Sequence, residues 1–429
     1  VYRNLVHGLN VKIPLNNDIY TTPINFDNAA TTPPFRSVMK EINSFSPWYS
    51  SIHRGTGYKS EISSEYYDQA RNDVLNFVNG DKDNDTVIFL KNTTECINKL
   101  SYRIKEEIEG GIVLTTRMEH HSNLLPWRLK YPTEYVETDK CGRLSIYDLN
   151  EKLKRYRGKI KLMAITGASN VTGYTNPIHE IARLVHDQGG KILVDGAQLV
   201  PHHPIDMKSS DSLEHIDYLT FSAHKMYAPF GTGVLIGPKK LFEKGSPEYP
   251  GGGTISFVSD DSVFWTEPPE KEEAGTPNVM GAVALSNSIK TLESLGMENI
   301  DNYELNLTYY CITKMKNIPH IILYCDLDFN NKISIIPFNI EGIPHEILAR
   351  ILSEERGISV RNGCFCAQPY VQRLLNILPN SYISRPGIVR ISFGLYNTYE
   401  EVDILIDFLT EISSNIQYYK GKYKNLLYY

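Results

Sequence analysis

Five short apolar runs, mostly of β-branched residues, punctuate the chain before residue 225: TVIFL (86–90), GIVLTT (111–116), KLMAIT (161–166), KILVDG (191–196) and YLTFSAH (218–224). Each has the length of a strand buried on both faces, as in a parallel sheet. Between them, apolar residues recur at three- and four-residue spacing over 94–108 and 177–188, which predicts amphipathic helices. Pro177 and Ile178 fit a helix start, and Gly189–Gly190 its stop. Strand and helix alternate, so the expected fold is α/β with a mostly parallel sheet. GTGVLIG (231–237) predicts one more strand, entered through its glycines.

Past Gly275–Pro277 the texture changes. Helical spacing covers 279–295 and 303–315. HIILYCD, KISIIPFNI and GIVRISFG follow, with a further helix around 344–355. This is an α+β pattern suited to a smaller unit. The expected organisation is an irregular arm (1–22), a large domain (23–286) and a small C-terminal domain (287–429). No repeat or flexible linker separates them, so the two domains should pack closely. The terminal YYKGKYKNLLYY reads as a frayed tail or as a patch resting on a partner chain.

Composition narrows the function classes. Of 429 residues, 44 are basic and 50 acidic, a net charge of −6 that draws the chain to neither nucleic acid nor an anionic membrane. No apolar run approaches the roughly 18 residues of a membrane span. The first residues lack the apolar core and cleavage site of a signal peptide, so a cytoplasmic location is the default expectation. Six cysteines are too sparse for a disulfide framework. Cys364 and Cys366 form a CxC, but two ligands without a second pair do not make a zinc site. No metal is expected.

Candidate chemistry centres on FSAHKMYAPFGTGV (221–234), where Lys225 directly follows an apolar strand and precedes a glycine-rich turn. Lysines avoid such positions unless paired or reactive. An amine with a depressed pKa there can condense with an aldehyde cofactor. Taken alone, an ion pair or a phosphate contact explains it as simply. Neighbouring segments change the balance. VDGAQ places Asp195 at a strand end, where open α/β sheets bind ligands and a carboxylate can hold a pyridine nitrogen protonated. Gln198, three residues on, can reach a phenolic oxygen. NTTECIN (92–98) puts Thr93 and Thr94 at a helix start, an anion site or merely a cap. Ser222 and His224 flank the lysine as further phosphate donors. His120 follows a strand and can lay its imidazole on a cofactor ring, and Asn170 lies beyond another strand end.

These residues carry a resemblance. INFDNAATT (24–32), SIHRG (51–55), NTTECIN, MEHHSNLLPW (118–127), VDGAQ, FSAHK, EAGTPN (273–278), VRNGCFCAQP (360–369) and IVRIS (388–392) occur in the order found in class V aminotransferase-fold enzymes. The chain is most similar to the group II cysteine desulfurase and selenocysteine lyase branch, across nearly its whole length. The resemblance implies a pyridoxal-phosphate-dependent transferase of fold type I. Lys225 would carry pyridoxal 5′-phosphate covalently, with Asp195 at the ring nitrogen, Gln198 near the phenolic oxygen, His120 stacked on the ring and Asn170 beside it. Thr93, Thr94, Ser222 and His224 would surround the phosphate. Thr276 would reach it from the other subunit of a homodimer. Arg390 would grip the substrate carboxylate in a planar fork, with Arg361, Asn170 and His53 as further substrate contacts.

The resemblance further implies that L-cysteine is converted to L-alanine while Cys366 takes the sulfur as a persulfide, for passage to a sulfur-acceptor protein. Catalysis would rest on Lys225, Cys366 and His120. Without the resemblance, Cys366 reads equally as a small core residue. One departure stands out: the related loops read R-x-G-H-H-C, whereas here Cys364 and Phe365 replace both histidines. Cys364 is placed to resolve a persulfide, to pair with Cys366, or simply to fill space. Two other functions fit the same residues: a pyridoxal-phosphate aminotransferase, epimerase or β-lyase acting on another amino acid, and a non-catalytic sulfur-carrier protein.

Overall fold

The apolar runs become strands because β-branched side chains pack well on a pleated surface and restrict their own rotamers little there. The computed structural model describes residues 2–16, 19–326, 331–377 and 386–423. Its main sheet contains β1 (Asp85–Leu90), β2 (Ile112–Thr116), β3 (Thr133–Val136), β4 (Ile160–Thr166), β5 (Lys191–Asp195), β6 (Tyr218–Ser222) and β7 (Gly233–Pro238). The seven strands are ordered β1-β7-β6-β5-β4-β2-β3. Only β7 runs against its neighbours β1 and β6; the other pairings are parallel. The mostly parallel α/β expectation is met. The strand absent from the sequence reading is β3, a four-residue edge strand with one buried side chain, too short and too wet to leave an apolar signature.

Parallel strands need crossovers, and helices supply them. The segments that position the site are α1 (Thr93–Arg103), α2 (His121–Lys130) and α3 (Ile178–His186). In α3, Ile178, Ile181, Ala182 and Val185 are buried, the three- and four-residue stripe seen in the sequence. Gly189 follows with φ +75°, a left-handed turn that lets the chain reverse into β5.

Two helices come next, α4 (Val279–Leu295) and α5 (Met297–Met315). The first continues unbroken through position 287. The second begins earlier than the apolar spacing indicates, because Gly296 at φ +80° lets the chain turn at once. Glu304 moreover occupies a core position, bonded to the His202 ring at 2.7 Å, and so interrupts the apolar stripe between buried Ile300 and Leu307.

A second sheet, β8 (Ile321–Leu323), β9 (Ile335–Ile340), β10 (Arg361–Gly363) and β11 (Ile388–Ser392), has the antiparallel order β8-β9-β11-β10. Helices α6 (His345–Arg356) and α7 (Tyr399–Ser414) share its core, which includes Phe338, Ile391, Leu348 and Leu405. Ile24 and Phe26 join this core too, and Ile24–Asn25 pair in parallel with Ile358–Ser359. The segment that opens INFDNAATT is therefore stitched to the second sheet before the chain enters the first. Of the C-terminal tail, Ile416–Lys422 is helical, and 424–429 lie outside the described residues. No described helix is long and apolar enough to cross a membrane.

One glycine in GTGVLIG is dictated by space. A Cβ on Gly233 would lie 2.5 Å from the backbone carbon of Asn92, the residue that caps α1. Backbone cannot move aside as a side-chain tip can. Gly233→Ala should therefore cost about 1–3 kcal/mol in a urea unfolding titration. A midpoint equal to wild type would show that the α1 cap does not pack on β7 this tightly.

Candidate active site

In an open α/β sheet the loops after the parallel strands gather at one edge, and ligands bind there. The chain puts its chemistry on those loops. After β1 come Thr93 and Thr94 at the start of α1; after β2, His120 caps α2; after β4 comes Asn170; β5 ends on Asp195, with Gln198 beyond it; after β6, Lys225 sits in the 3₁₀ turn Ala223–Lys225. A cavity of about 280 Å³ is lined by all of these together with Ser222, His224, Arg361, Phe365, Cys366 and Arg390. Arg361 and Arg390 come from strands of the second sheet, and Phe365 and Cys366 from the turn that follows β10, so the second sheet's side faces the main sheet across the cavity.

Local bonding builds an anion cradle at one end. The Asn92 side chain accepts from the Glu95 amide and starts α1. Ser222 Oγ accepts the Thr93 amide at 2.9 Å and lies 2.7 Å from the Thr93 hydroxyl. Thr94 Oγ1 pairs with Ser122 Oγ at 2.7 Å. Hydroxyls thus crowd the amino end of an 11-residue helix, where partial positive charge favours an anion. His224, beside them, is held below the usual imidazole range at about 4, chiefly by burial and then by Lys225. It is neutral at physiological pH.

The opposite end is electrostatically different. Asp195 is buried and accepts the Ala197 amide at 3.0 Å; burial pushes its carboxyl up, while Lys225 opposes the shift. A cationic N–H at its free lone pairs would reverse that penalty. Burial lowers the Lys225 amine to about 8, Asp195 counteracts, and Arg390 pushes it further down. His120 Nδ1 accepts the Ser122 amide at 3.1 Å, which fixes a neutral tautomer, and burial followed by Lys225 lowers this ring to about 4. Gln198 Nε2 donates to the Ala29 carbonyl at 2.7 Å, whereas its Oε1 is buried with no partner.

On the far wall, Arg390 is buried. Nη1 donates to the Asn170 carbonyl at 2.8 Å and Nη2 to Asp27 at 2.9 Å, while Nε has no partner. Burial pulls its pKa down and Asp27 holds the charge in place. Arg361, more exposed, reaches the same carboxylate at 3.7 Å. Cys366 is exposed at the cavity rim. Its carbonyl accepts the His121 amide at 2.6 Å, which ties the loop to the start of α2.

Two predicted residues sit elsewhere. His53 and Thr276 line a separate cleft with Arg54 and Gly275, and His53 pairs there with Asp68 at 3.0 Å. Within one chain they do not meet Lys225. Three contributors escaped the sequence reading. Asp27 anchors both arginines, Phe365 lies beneath Arg390, and buried Glu119 accepts from the Thr116 hydroxyl, the Thr166 amide and Asn123 Nδ2. Burial lifts Glu119 to about 8. All three lie inside the conspicuous segments, but nothing local distinguishes a positioning side chain from its neighbours. Among the described residues, one trio could offer three metal-ligand atoms: His186, His215 and Asp217. It lies at the amino ends of β5 and β6, the edge opposite the cavity.

Residues 24–405 match the family model described as aminotransferase class-V. A probable cysteine desulfurase of Synechocystis is 34% identical over 415 residues, covering 94% of each chain. A cysteine desulfurase of Shigella sonnei is 32% identical over 93% of this chain and 95% of its own. Among solved structures, the apo cysteine desulfurase of Thermococcus onnurineus superposes with a TM-score of 0.82 at 30% identity, covering 91% of this chain and 95% of the other. A cysteine desulfurase of Escherichia coli in an S-sulfonic acid form gives 0.79 at 27%, with 92% and 95% covered.

Proposed function

The chain belongs to the aminotransferase class-V family, and on that premise we propose that it is a pyridoxal-phosphate-dependent cysteine desulfurase. The observation that carries this reading is the meeting, in one cavity, of a lysine amine with a lowered pKa, a buried strand-end carboxylate, a buried arginine and an exposed cysteine. The donor set fits the cofactor at each end. Thr94, Ser222 and His224 suit the phosphate, Asp195 suits a protonated ring nitrogen, and the unpartnered amide end of Gln198 suits a ring oxygen. His120, neutral and lining the cavity, would cover the ring face.

When bound, pyridoxal phosphate supplies the electron sink that makes the substrate Cα–H bond breakable. The residues do the rest. Arg390 fixes the substrate carboxylate, its unpartnered Nε offering one prong. Lys225 Nζ takes the Cα proton and returns it as the reaction proceeds; a pKa of about 8 suits both directions near neutral pH. The Cys366 thiolate attacks the substrate sulfur. A Cys366 S–S bond forms, the substrate Cβ–S bond breaks, and protonation at Cβ leaves alanine. L-Cysteine plus the Cys366 thiol thus become L-alanine plus a persulfide, with no external oxidant. An acceptor protein would then remove the sulfur. His53 and Thr276, gathered away from Lys225, are read as reaching the cofactor of a second subunit in a homodimer.

The test is incubation of cofactor-loaded protein with L-cysteine, measuring sulfide and alanine together. Equal amounts of both are expected under reducing conditions. Neither product above the blank, with cofactor absorbance intact, would refute the assignment.

A pH prediction follows from Lys225. Only the neutral amine captures an aldehyde, so cofactor uptake by the apoenzyme should rise with pH and level off with an inflection near 8. Asp195→Asn removes the charge that favours protonation, which moves the inflection lower. An inflection near the free-lysine value of about 10.4 would contradict the environment described.

A further inference from the structure

The loop bearing Cys366 is held in an unfavourable backbone geometry. Residues 364–367 form a turn closed by the Ala367 amide on the Cys364 carbonyl at 2.8 Å. Its two central residues, Phe365 (φ +52°) and Cys366 (φ +55°), are both left-handed, and neither is glycine. L-residues resist that region, so contacts outside the turn must hold it. Three do. Asn170 Nδ2 donates to the Phe365 carbonyl at 2.7 Å, the His121 amide donates to the Cys366 carbonyl, and the buried Phe365 ring lies 5.0 Å from the Arg390 guanidinium carbon. Arg390 in turn donates to the Asn170 carbonyl at 2.8 Å. The contacts therefore close a circuit: Arg390 to Asn170, Asn170 to Phe365, and the Phe365 ring back to Arg390.

We propose that Phe365 is a positioning residue that couples Arg390, the substrate-carboxylate arginine, to the turn presenting Cys366. The inference rests on the desulfurase reading for the roles of those two partners. A phenyl ring offers a buried cation only its π face, and it offers the turn a bulky anchor beside the nucleophile. A carboxylate arriving at Arg390 shifts the guanidinium while the ring stays packed against it, so the turn responds, and a ring that holds the guanidinium in place favours carboxylate binding. Phe365 thereby replaces, with packing, whatever polar contact a histidine would make at this position.

The holoenzyme tests this with Phe365→Leu and Phe365→Tyr. Two quantities are read: the L-alanine affinity, from the cofactor absorbance, and the iodoacetamide alkylation rate of Cys366, by peptide mass spectrometry with and without saturating L-alanine. In wild type, L-alanine should change the alkylation rate by about fivefold or more. In Phe365→Leu, that response should shrink below about twofold and the L-alanine Kd should rise about tenfold, the loss expected for a buried cation–π contact. Phe365→Tyr, which keeps the ring, should restore both. A leucine variant that retains the response and the affinity overturns the proposal. So does a tyrosine variant as impaired as the leucine one, because that marks a packing defect. Neither readout needs sulfur transfer. A wild type that releases no sulfide would sink the desulfurase assignment while leaving this coupling open to measurement.

Discussion

Lys225→Ala should abolish alanine and sulfide formation from L-cysteine, by about a thousandfold or more, without unfolding the protein. The argument starts from position. Lys225 is the last residue of the turn after β6, and its buried amine feels the charges of both Asp195 and Arg390. The other titratable groups in reach do not substitute for it: His120 and His224 are both near 4, too weakly basic to take a Cα proton at neutral pH, and Asp195, on the proposed reading, would face the ring nitrogen. Truncation removes a strained charge rather than a stabilising one, since burial disfavours the ammonium. The thermal midpoint should therefore hold or rise. Lys225→Arg separates charge from reactivity, for it restores a cation that cannot lose its proton, and it should be as inactive as alanine. Product formation by either variant above about a hundredth of wild type would remove Lys225 from the mechanism.

Cys366→Ala should be the second large effect, with a different signature. Sulfide and persulfide formation should fall about a thousandfold or more, while the cofactor band and the L-alanine affinity stay near wild type. Cys366 lies at the rim and, among the described residues, is hydrogen-bonded through its backbone carbonyl, so loss of its sulfur should leave the wall bearing Lys225 undisturbed. Cys364 is the natural comparison. Its thiol donates to the Pro386 carbonyl at 3.0 Å, and burial pushes its pKa up, so little thiolate is available. Cys364→Ala should keep sulfur transfer within about threefold of wild type. If the two variants behave alike, or if Cys364→Ala is the dead one, the nucleophile has been misassigned. Cyanolysis of sulfane sulfur on each variant reads this directly.

The wall bearing Lys225 was legible in the chain because each of its residues follows an apolar strand by only a few positions. Asp195 ends β5, and Lys225 comes three residues after Ser222 ends β6. A residue's distance from its own strand end is local information, and a parallel sheet brings all such ends to one edge. The far wall was less legible. Arg390 was foreseen, but its holder Asp27 lies 363 residues away in sequence. Phe365 looked like a mere replacement for histidine until its ring was seen beneath that arginine. Glu119 precedes His120 in MEHH with nothing local to mark it, although three donors converge on its carboxylate.

The sequence by itself determined the alternation of strand and helix, the type and direction of the main sheet, and the loops that carry lysine, aspartate and threonine. These follow from the period of apolar residues and from glycine and proline at the ends, properties written into neighbouring positions. Only the tertiary structure decided that the strand bearing Arg390 closes over the sheet bearing Lys225, that Ile24–Asn25 pair with Ile358–Ser359, more than 330 residues on, and that His53 and Thr276 keep their distance from the amine. Such choices depend on how surfaces far apart in the chain fit when packed, and no local period encodes that fit.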